Sequence, residues 1–250
     1  MIRIESIDAE PISVLPYLNA RSGGGSEVSR LEFTIAQVGP LADELDTVVC
    51  CSDLQGMVAG ELLGVSVADH LISCVDIPAR TGIVLAGDLY SVPAANKRGG
   101  FGDVSTVWHA FADRFAWVVG VAGNHDDVSN VKGDNVHVLD GTTVMIDGLR
   151  FGGVGGVIGN PSKPGRRDQE RHLDALLDVI RQEPDVLVLH EGPHGDDRQL
   201  GNAEIRAAIE ASEVPFTVCG HVHWRDPLVE LQRSQILNVD ARVVILRTQR

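Results

Sequence analysis

Residues Ala116–Asp126 read AWVVGVAGNHD, an apolar, β-branched run that breaks off at Gly123 and ends on Asn124, His125 and Asp126. A short run of this kind, flanked by turn residues, reads as a buried strand. Four other segments repeat the pattern. Asp46–Ser52 (DTVVCCS) ends at Asp53, and Gly82–Ala86 (GIVLA) ends at Gly87-Asp88. Asp185–Leu189 (DVLVL) ends at His190, and Pro215–Cys219 (PFTVC) ends at Gly220-His221-Val222-His223.

Helical periodicity fills the gaps. Leu63, Val67 and Leu71 share one face, as do Leu173, Leu176, Leu177 and Ile180 within Arg167–Gln182. Val104–Phe115 and Ala203–Ala211 are further helices, the latter with Asn202 as its cap. Strands alternating with helices give an α/β chain. Val144–Ile146 and Leu149–Phe151 flank Asp147-Gly148, the dipeptide of a tight hairpin, and Ile236–Val239 and Arg242–Leu246 add two more strands. The sheets are therefore expected to be mixed. Ser22–Ser26 (SGGGS) reads as a loop or small linker, and residues 27–45 as a helix packed on the core. The expected organisation is an N-terminal extension, 1–45, packed on a domain of residues 46–250.

Composition narrows the function. The 250 residues carry 35 acidic and 21 basic side chains, a formal charge of −14, which argues against a broad nucleic-acid surface. The 44% hydrophobic content is that of a globular chain and excludes a mostly disordered one. No run of 18 apolar residues predicts a membrane helix, and MIRIESIDAEP does not read as a secretory signal. Cys50, Cys51, Cys74 and Cys219 form no Cys-x-x-Cys pair. Buried, reduced thiols in a cytoplasmic protein are expected, not a thiolate zinc site.

The polar residues that end the five runs carry the chemistry. Ligands of α/β sheets collect beyond the carboxyl ends of strands, so Asp53-x-Gln55, Gly87-Asp88, Gly123-Asn124-His125-Asp126, His190 and Gly220-His221-x-His223 can converge on one point. Taken singly, each has a plainer reading. Asp53 caps a following helix, His190 is a core histidine, and His221 and His223 share one exposed strand face. In sequence, however, the five motifs resemble those of the calcineurin-like metallophosphoesterases.

That resemblance spans Asp53 to His223 and implies a two-layer mixed β-sheet sandwich flanked by helices. It also implies a dinuclear metal centre. Asp88 would bridge two divalent ions, with Asp53, Gln55 and His223 completing one site and Asn124, His190 and His221 the other. His125 would act as the leaving-group acid, with Asp126 orienting it. Two cations about 3.5–4 Å apart clamp attacking and leaving oxygens, and a hydroxide between them attacks phosphorus in line. Gln55 stands where the family's first motif has histidine. An amide oxygen is a harder, weaker ligand, which favours Mn²⁺, with Mg²⁺, Fe or Zn²⁺ as alternatives. The same Asp-x-Gln variant resembles manganese-dependent ADP-ribose/CDP-alcohol diphosphatases.

The expected activity is hydrolysis of small phosphodiesters, nucleotide pyrophosphates or phosphomonoesters, without nucleic-acid or membrane partners. The alternative is a weak or inactive scaffold for protein interactions. Around the motifs, Lys97, Arg98, Arg166 and Arg167 could hold substrate phosphate or simply be solvated, and Arg166 and Arg167 could instead begin the next helix. Gly155–Gly165 reads as a lid, His194 as a loop residue, and Tyr90 as either a base-stacking or a packed aromatic ring.

Overall fold

The computed structural model describes residues 2–39, 41, 45, 47–75, 77, 80–196 and 198–248. Three strands open the chain: β1 (Ile4–Ile7), β2 (Ser13–Ala20) and β3 (Ser26–Val38). They are followed by β4 (Thr47–Ser52), α1 (Leu63–Cys74), β5 (Thr81–Leu85), α2 (Ser105–Ala112), β6 (Trp117–Gly120) and β7 (Val136–Val138). The second half supplies β8 (Thr142–Ile146), β9 (Leu149–Val154), α3 (Gln169–Ile180), β10 (Val186–Glu191), α4 (Ala203–Glu210) and β11 (Phe216–Gly220). It ends with β12 (Leu228–Leu231), β13 (Ser234–Asn238) and β14 (Arg242–Thr248).

Two mixed sheets form. The first runs β7-β6-β5-β4-β14-β3-β2 and continues into the short pair Met57–Val58 and Glu61–Leu62, with β1 on β3. The second runs β8-β9-β10-β11-β13-β12. Strands buried on both faces explain the unbroken apolar runs. Val48 and Cys50 of β4, Val84 and Val119 pack inward against Phe151, Val188, Val218 and Leu237 of the other sheet. Val49, Cys51, Ile83 and Leu85 point the other way, onto Val67, Leu71, Trp108 and Phe111 of α1 and α2. Leu187 and Leu189 likewise meet Leu176 and Val179 of α3 and Ile205 and Ile209 of α4. The result is the expected α/β architecture, a two-sheet sandwich with helices on both outer faces. Each fully buried aliphatic or aromatic side chain contributes roughly 1.5–3 kcal/mol.

Local signals explain most boundaries. Asn202 accepts from Glu204 N and Ile205 N, capping α4, and Asp147 and Gly148 turn β8 into β9 with φ of 48° and 77°. Asp168 accepts from Arg171 N and starts α3, so the helix begins at Gln169 and not at Arg167. The helix expected over 27–45 is instead strand β3 as far as Val38; residues 40 and 42–44 lie outside the described residues. Buried Leu31 and Phe33 alternate with exposed Arg30 and Glu32, a period of two that seats β3 beside β14. The SGGGS segment is the turn between β2 and β3. Cys50, Cys51 and Cys219 are buried free thiols as expected, whereas Cys74 is exposed. No helix among the described residues is long and apolar enough to cross a membrane.

Candidate metal centre

Strands β4, β5 and β6 are parallel in one sheet, as are β10 and β11 in the other. The residues that follow them meet at one rim. His190 Nε2 lies 3.3 Å from Asp88 Oδ1 and 3.3 Å from Asn124 Oδ1. The His221 backbone N–H donates to Asp53 Oδ2 at 2.9 Å, and the His190 and His221 rings stand 5.0 Å apart. Gln55 Nε2 donates to Asp88 Oδ2 at 3.0 Å, and the His125 N–H donates to Asp88 Oδ1 at 3.0 Å. One donor atom each from Asp88, His190 and His221 lies within 4.8 Å of the others.

The backbone is shaped to allow this approach. Asp53, Asp88 and His221 have φ of 53°, 55° and 69°, a left-handed conformation that costs of order 1–3 kcal/mol per non-glycine residue. Glycine precedes two of the motifs for a steric reason. A Cβ on Gly123 would lie 2.7 Å from Asp88 Cγ, and one on Gly220 would lie 2.5 Å from Asp53 Oδ2. The carboxylates rest directly against these backbones.

The electrostatics follow from burial and neighbours. His190 Nδ1–H donates to Ala86 O at 2.8 Å, which aims Nε2 at Asp88. Burial disfavours the imidazolium, but the Asp88 charge and hydrogen bond outweigh it and raise His190 to about 10. Asp88 is held below its ordinary value, because His190 and His125 outweigh the cost of its burial. His221 is pushed down to about 4 by burial and by the His190 charge, which leaves it neutral, the form that ligates metals. Asp53 is raised by burial and by the carboxylates of Asp240 and Asp88. Charge packed this densely on one rim is what a bound cation relieves.

Two expected placements differ. Among the described residues the Asp126 carboxylate bonds to backbone N–H groups and not to the His125 ring. Its Oδ1 accepts from Leu89 N at 2.8 Å and Tyr90 N at 3.0 Å, and its Oδ2 accepts from Gly123 N at 2.9 Å. Both oxygens therefore tie the Gly-Asp loop to the Gly-Asn-His-Asp loop. The Gly100 carbonyl, not a carboxylate, meets His125 Nδ1, and His125 Nε2 lies 3.9 Å from Asp88 Oδ2. His223 stands apart from the Asp88, His190 and His221 cluster. Its Nδ1 lies 3.1 Å from Asp240 Oδ1, and Arg242 Nη2 lies 3.3 Å from its Nε2.

Asp240 is the residue that the sequence reading missed. It follows the apolar run Ile236–Val239 as Asp53 follows Asp46–Ser52, so a sixth polar strand end was there to be found. The Gly100 carbonyl left no side-chain signal to find. Of the ambiguous residues, Arg98 donates to Ala20 O at 3.1 Å and Lys97 is exposed. The Tyr90 ring packs against Gly102, where a Cβ would lie 2.6 Å from Tyr90 Cζ. His194 lies in a loop whose backbone is tied to Asn202 O at 3.0 Å.

Imidazole and oxygen donors gathered beyond strand ends, as here, are a set that could hold a divalent cation. The sequence profile of the calcineurin-like phosphoesterases matches residues 47–225, and the chain belongs to that family. It is thus a metallophosphoesterase, of a family that binds divalent metal ions.

Among solved structures, TT1561 of Thermus thermophilus superposes with a TM-score of 0.56 at 14% identity, over 78% of this chain and 88% of that one. This likeness is one of fold. A 5'-nucleotidase precursor from the same organism gives a TM-score of 0.40 at 13% identity over 78% of this chain; the match spans 48% of that protein. The protein of unknown function AQ665 from Aquifex aeolicus gives 0.39 at 13% identity, over 80% of this chain and 95% of that one. No curated protein sequence matches this chain significantly.

Proposed function

We propose that the protein is a divalent-metal-dependent hydrolase of small phosphodiesters, nucleotide pyrophosphates or phosphomonoesters, working through a two-metal centre. The observation that carries this reading is the convergence of Asp88, His190 and His221 within 4.8 Å. Asn124 and Gln55 are hydrogen-bonded into the same cluster. Asp88 has two oxygens to share between ions. Asn124, His190 and His221 would complete one site, and Asp53, Gln55 and His223 the other. The donor set fits. His190 presents Nε2 because Nδ1 is committed to Ala86 O, whereas His223, with Nδ1 on Asp240 and Nε2 beside Arg242, would take a metal only by giving up the guanidinium. The Gln55 carboxamide meets Asp88 through its nitrogen and brings its oxygen to the same place by a half-turn of the amide. Imidazole, carboxylate and amide donors favour Mn²⁺ over softer ions.

Bound divalent ions would supply charge neutralisation and polarisation of the phosphoryl oxygens. The chain supplies the rest. His125, fixed by Asp88 and by the Gly100 carbonyl, acts as the imidazolium, keeping its Nδ1–H on Gly100 and giving its Nε2 proton to the departing oxygen. Asp126 holds the loop that carries His125 at a fixed distance from Asp88.

The test is Mn²⁺-dependent turnover of p-nitrophenyl phosphate and bis-p-nitrophenyl phosphate, with Asp88→Asn as the control. Turnover should need both added metal and the Asp88 charge, with a loss of at least about 10²–10³-fold in the variant. Full turnover by folded Asp88→Asn protein would refute the mechanism. A folded, metal-loaded wild type that turns over none of a broad phosphoester panel would point to the scaffold alternative.

A further inference from the structure

We propose that Arg166 is a specificity residue that clamps a second phosphate, so that the preferred substrates carry a phosphoanhydride and not a lone phosphoester. This deepens the hydrolase reading above and rests on it. A cavity of about 240 Å³ opens beside the Gly-Asn-His-Asp loop, between Phe101 and Gly123 on one side and Gly156, Arg166 and Arg167 on the other. Phe101 directly follows Gly100, whose carbonyl holds His125. The cavity is thus lined by the residue next to the one that holds His125 and by Gly123 and Asp126, the first and last residues of the loop that bears His125.

The two arginines are presented rigidly. Arg166–Arg167 pairs in parallel with Val157–Ile158, and this small ladder is anchored on the site. Gly156 N donates to Ala122 O at 2.8 Å, and Val157 N donates to Gly165 O at 2.9 Å. Gly165, at φ +63°, lies so close to Asn124 that a Cβ there would come within 2.5 Å of Asn124 Cα. The segment expected as a lid is fastened at Gly156 and Gly165 to the loop that bears Asn124 and His125.

The guanidinium groups differ in what they meet. Arg167 is paired with Asp140. Among the described residues, Arg166 has neither an ion pair nor a hydrogen bond from its side chain, in a chain of net charge −14. Its charge is nevertheless felt at His221. Arg167 Nη1 is a buried donor without a partner. A half-buried, unpaired arginine lining the cavity beside a second arginine offers the planar fork that a phosphate oxyanion takes. The other carboxylates of the cavity are already engaged, Asp126 by three backbone N–H groups and Asp140 by Arg167 and Gly155 N. In the reaction, the oxygen of water bonds to one phosphorus and the bridging P–O bond breaks. The electron pair goes to the bridging oxygen of the departing phosphate, which takes a proton from His125 and is held by Arg166; one proton of the attacking water restores His125 and the other leaves to solvent.

Two measurements test this on the full chain. Inorganic pyrophosphate and orthophosphate are titrated by calorimetry onto chelator-treated wild type, Arg166→Ala and Arg166→Lys. Arg166→Ala should weaken pyrophosphate about tenfold or more and change orthophosphate by less than about threefold, with Arg166→Lys between. With Mn²⁺, kcat/KM for a dinucleoside pyrophosphate relative to bis-p-nitrophenyl phosphate should fall by a similar factor, mainly through KM. Pyrophosphate binding that ignores Arg166, or equal losses on both substrates, overturns the proposal even if turnover is robust. Arg166-dependent pyrophosphate binding without any turnover upholds the subsite and counts against the hydrolase reading. If Arg166→Ala does not fold, Arg166→Lys alone decides, because it keeps the charge and loses the fork.

Discussion

His125 is held at two points that the chain itself provides, its own N–H on Asp88 and its Nδ1 on the Gly100 carbonyl. That leaves Nε2 to face the departing group, and it makes a prediction about leaving groups. His125→Ala should lower kcat by about 10²–10⁴-fold on alkyl phosphoesters, whose oxygen must be protonated as it leaves. The loss should be far smaller with p-nitrophenolate, which departs without a proton. A series of substrates of graded leaving-group pKa, run with both proteins, reads this as a steeper slope for the variant. An equal loss across the series would mean that His125 positions the phosphoryl group and donates no proton. At this scale the centre was largely legible in the sequence. Asp53, Asp88, Asn124, His190 and His221 each end a β-branched run, and parallel strands bring such ends together. The surroundings were not legible. Asp126 is a strand-end acid like the others, yet backbone N–H groups take both of its oxygens. A carbonyl such as that of Gly100 has no residue-type signature.

Periodicity located the four helices of the described residues, because each buries one apolar stripe, but β3 was misread because its first half is mostly exposed and polar. Partner strands decided there, not local preference. Helix α3 carries a cost that the sequence does not announce. His172 is fully buried in it, and neither ring nitrogen has a hydrogen-bond partner among the described residues. Burial, and after it the positive charge of Arg167, push its pKa down to about 4 from an ordinary 6.5. The sign follows. Between those values the unfolded chain takes up a proton that the folded chain refuses, so stability is full above pH 6.5 and is lost as pH falls toward 4. Urea unfolding at pH 7 and pH 5 should show wild type losing about 2 kcal/mol more than His172→Leu over that interval. Parallel losses in the two proteins would show that His172 is solvated or hydrogen-bonded in solution.

Across the whole molecule, the first 45 residues pose the remaining question of organisation. The metal centre lies entirely within residues 53–240, and the family match begins at residue 47. On those grounds alone the N-terminal segment looks dispensable. The sheet argues otherwise. β3 pairs with β14 through six residues, Phe33 to Val38 against Val243 to Thr248, while the other side of β14 pairs with β4, the strand that delivers Asp53. Leu31 and Phe33 are fully buried in the layer beneath α1 and α2, and Ala36 and Val38 lie in the core between the sheets. Removing residues 1–45 would leave β14 as a bare, apolar edge and open cavities in two of the three cores, and losses of about 2–5 kcal/mol for each large side chain exceed what a domain can spare. A chain of residues 46–250 should therefore be insoluble or lack a cooperative thermal transition by circular dichroism, and added Mn²⁺ should not restore one. A soluble, cooperatively melting fragment with intact metal-dependent turnover would instead make the segment an accessory layer. The expectation of failure follows from where β3 sits. It is an interior strand of the sheet that carries half of the centre, and the sequence before residue 46 is part of what holds Asp53 in reach of His221.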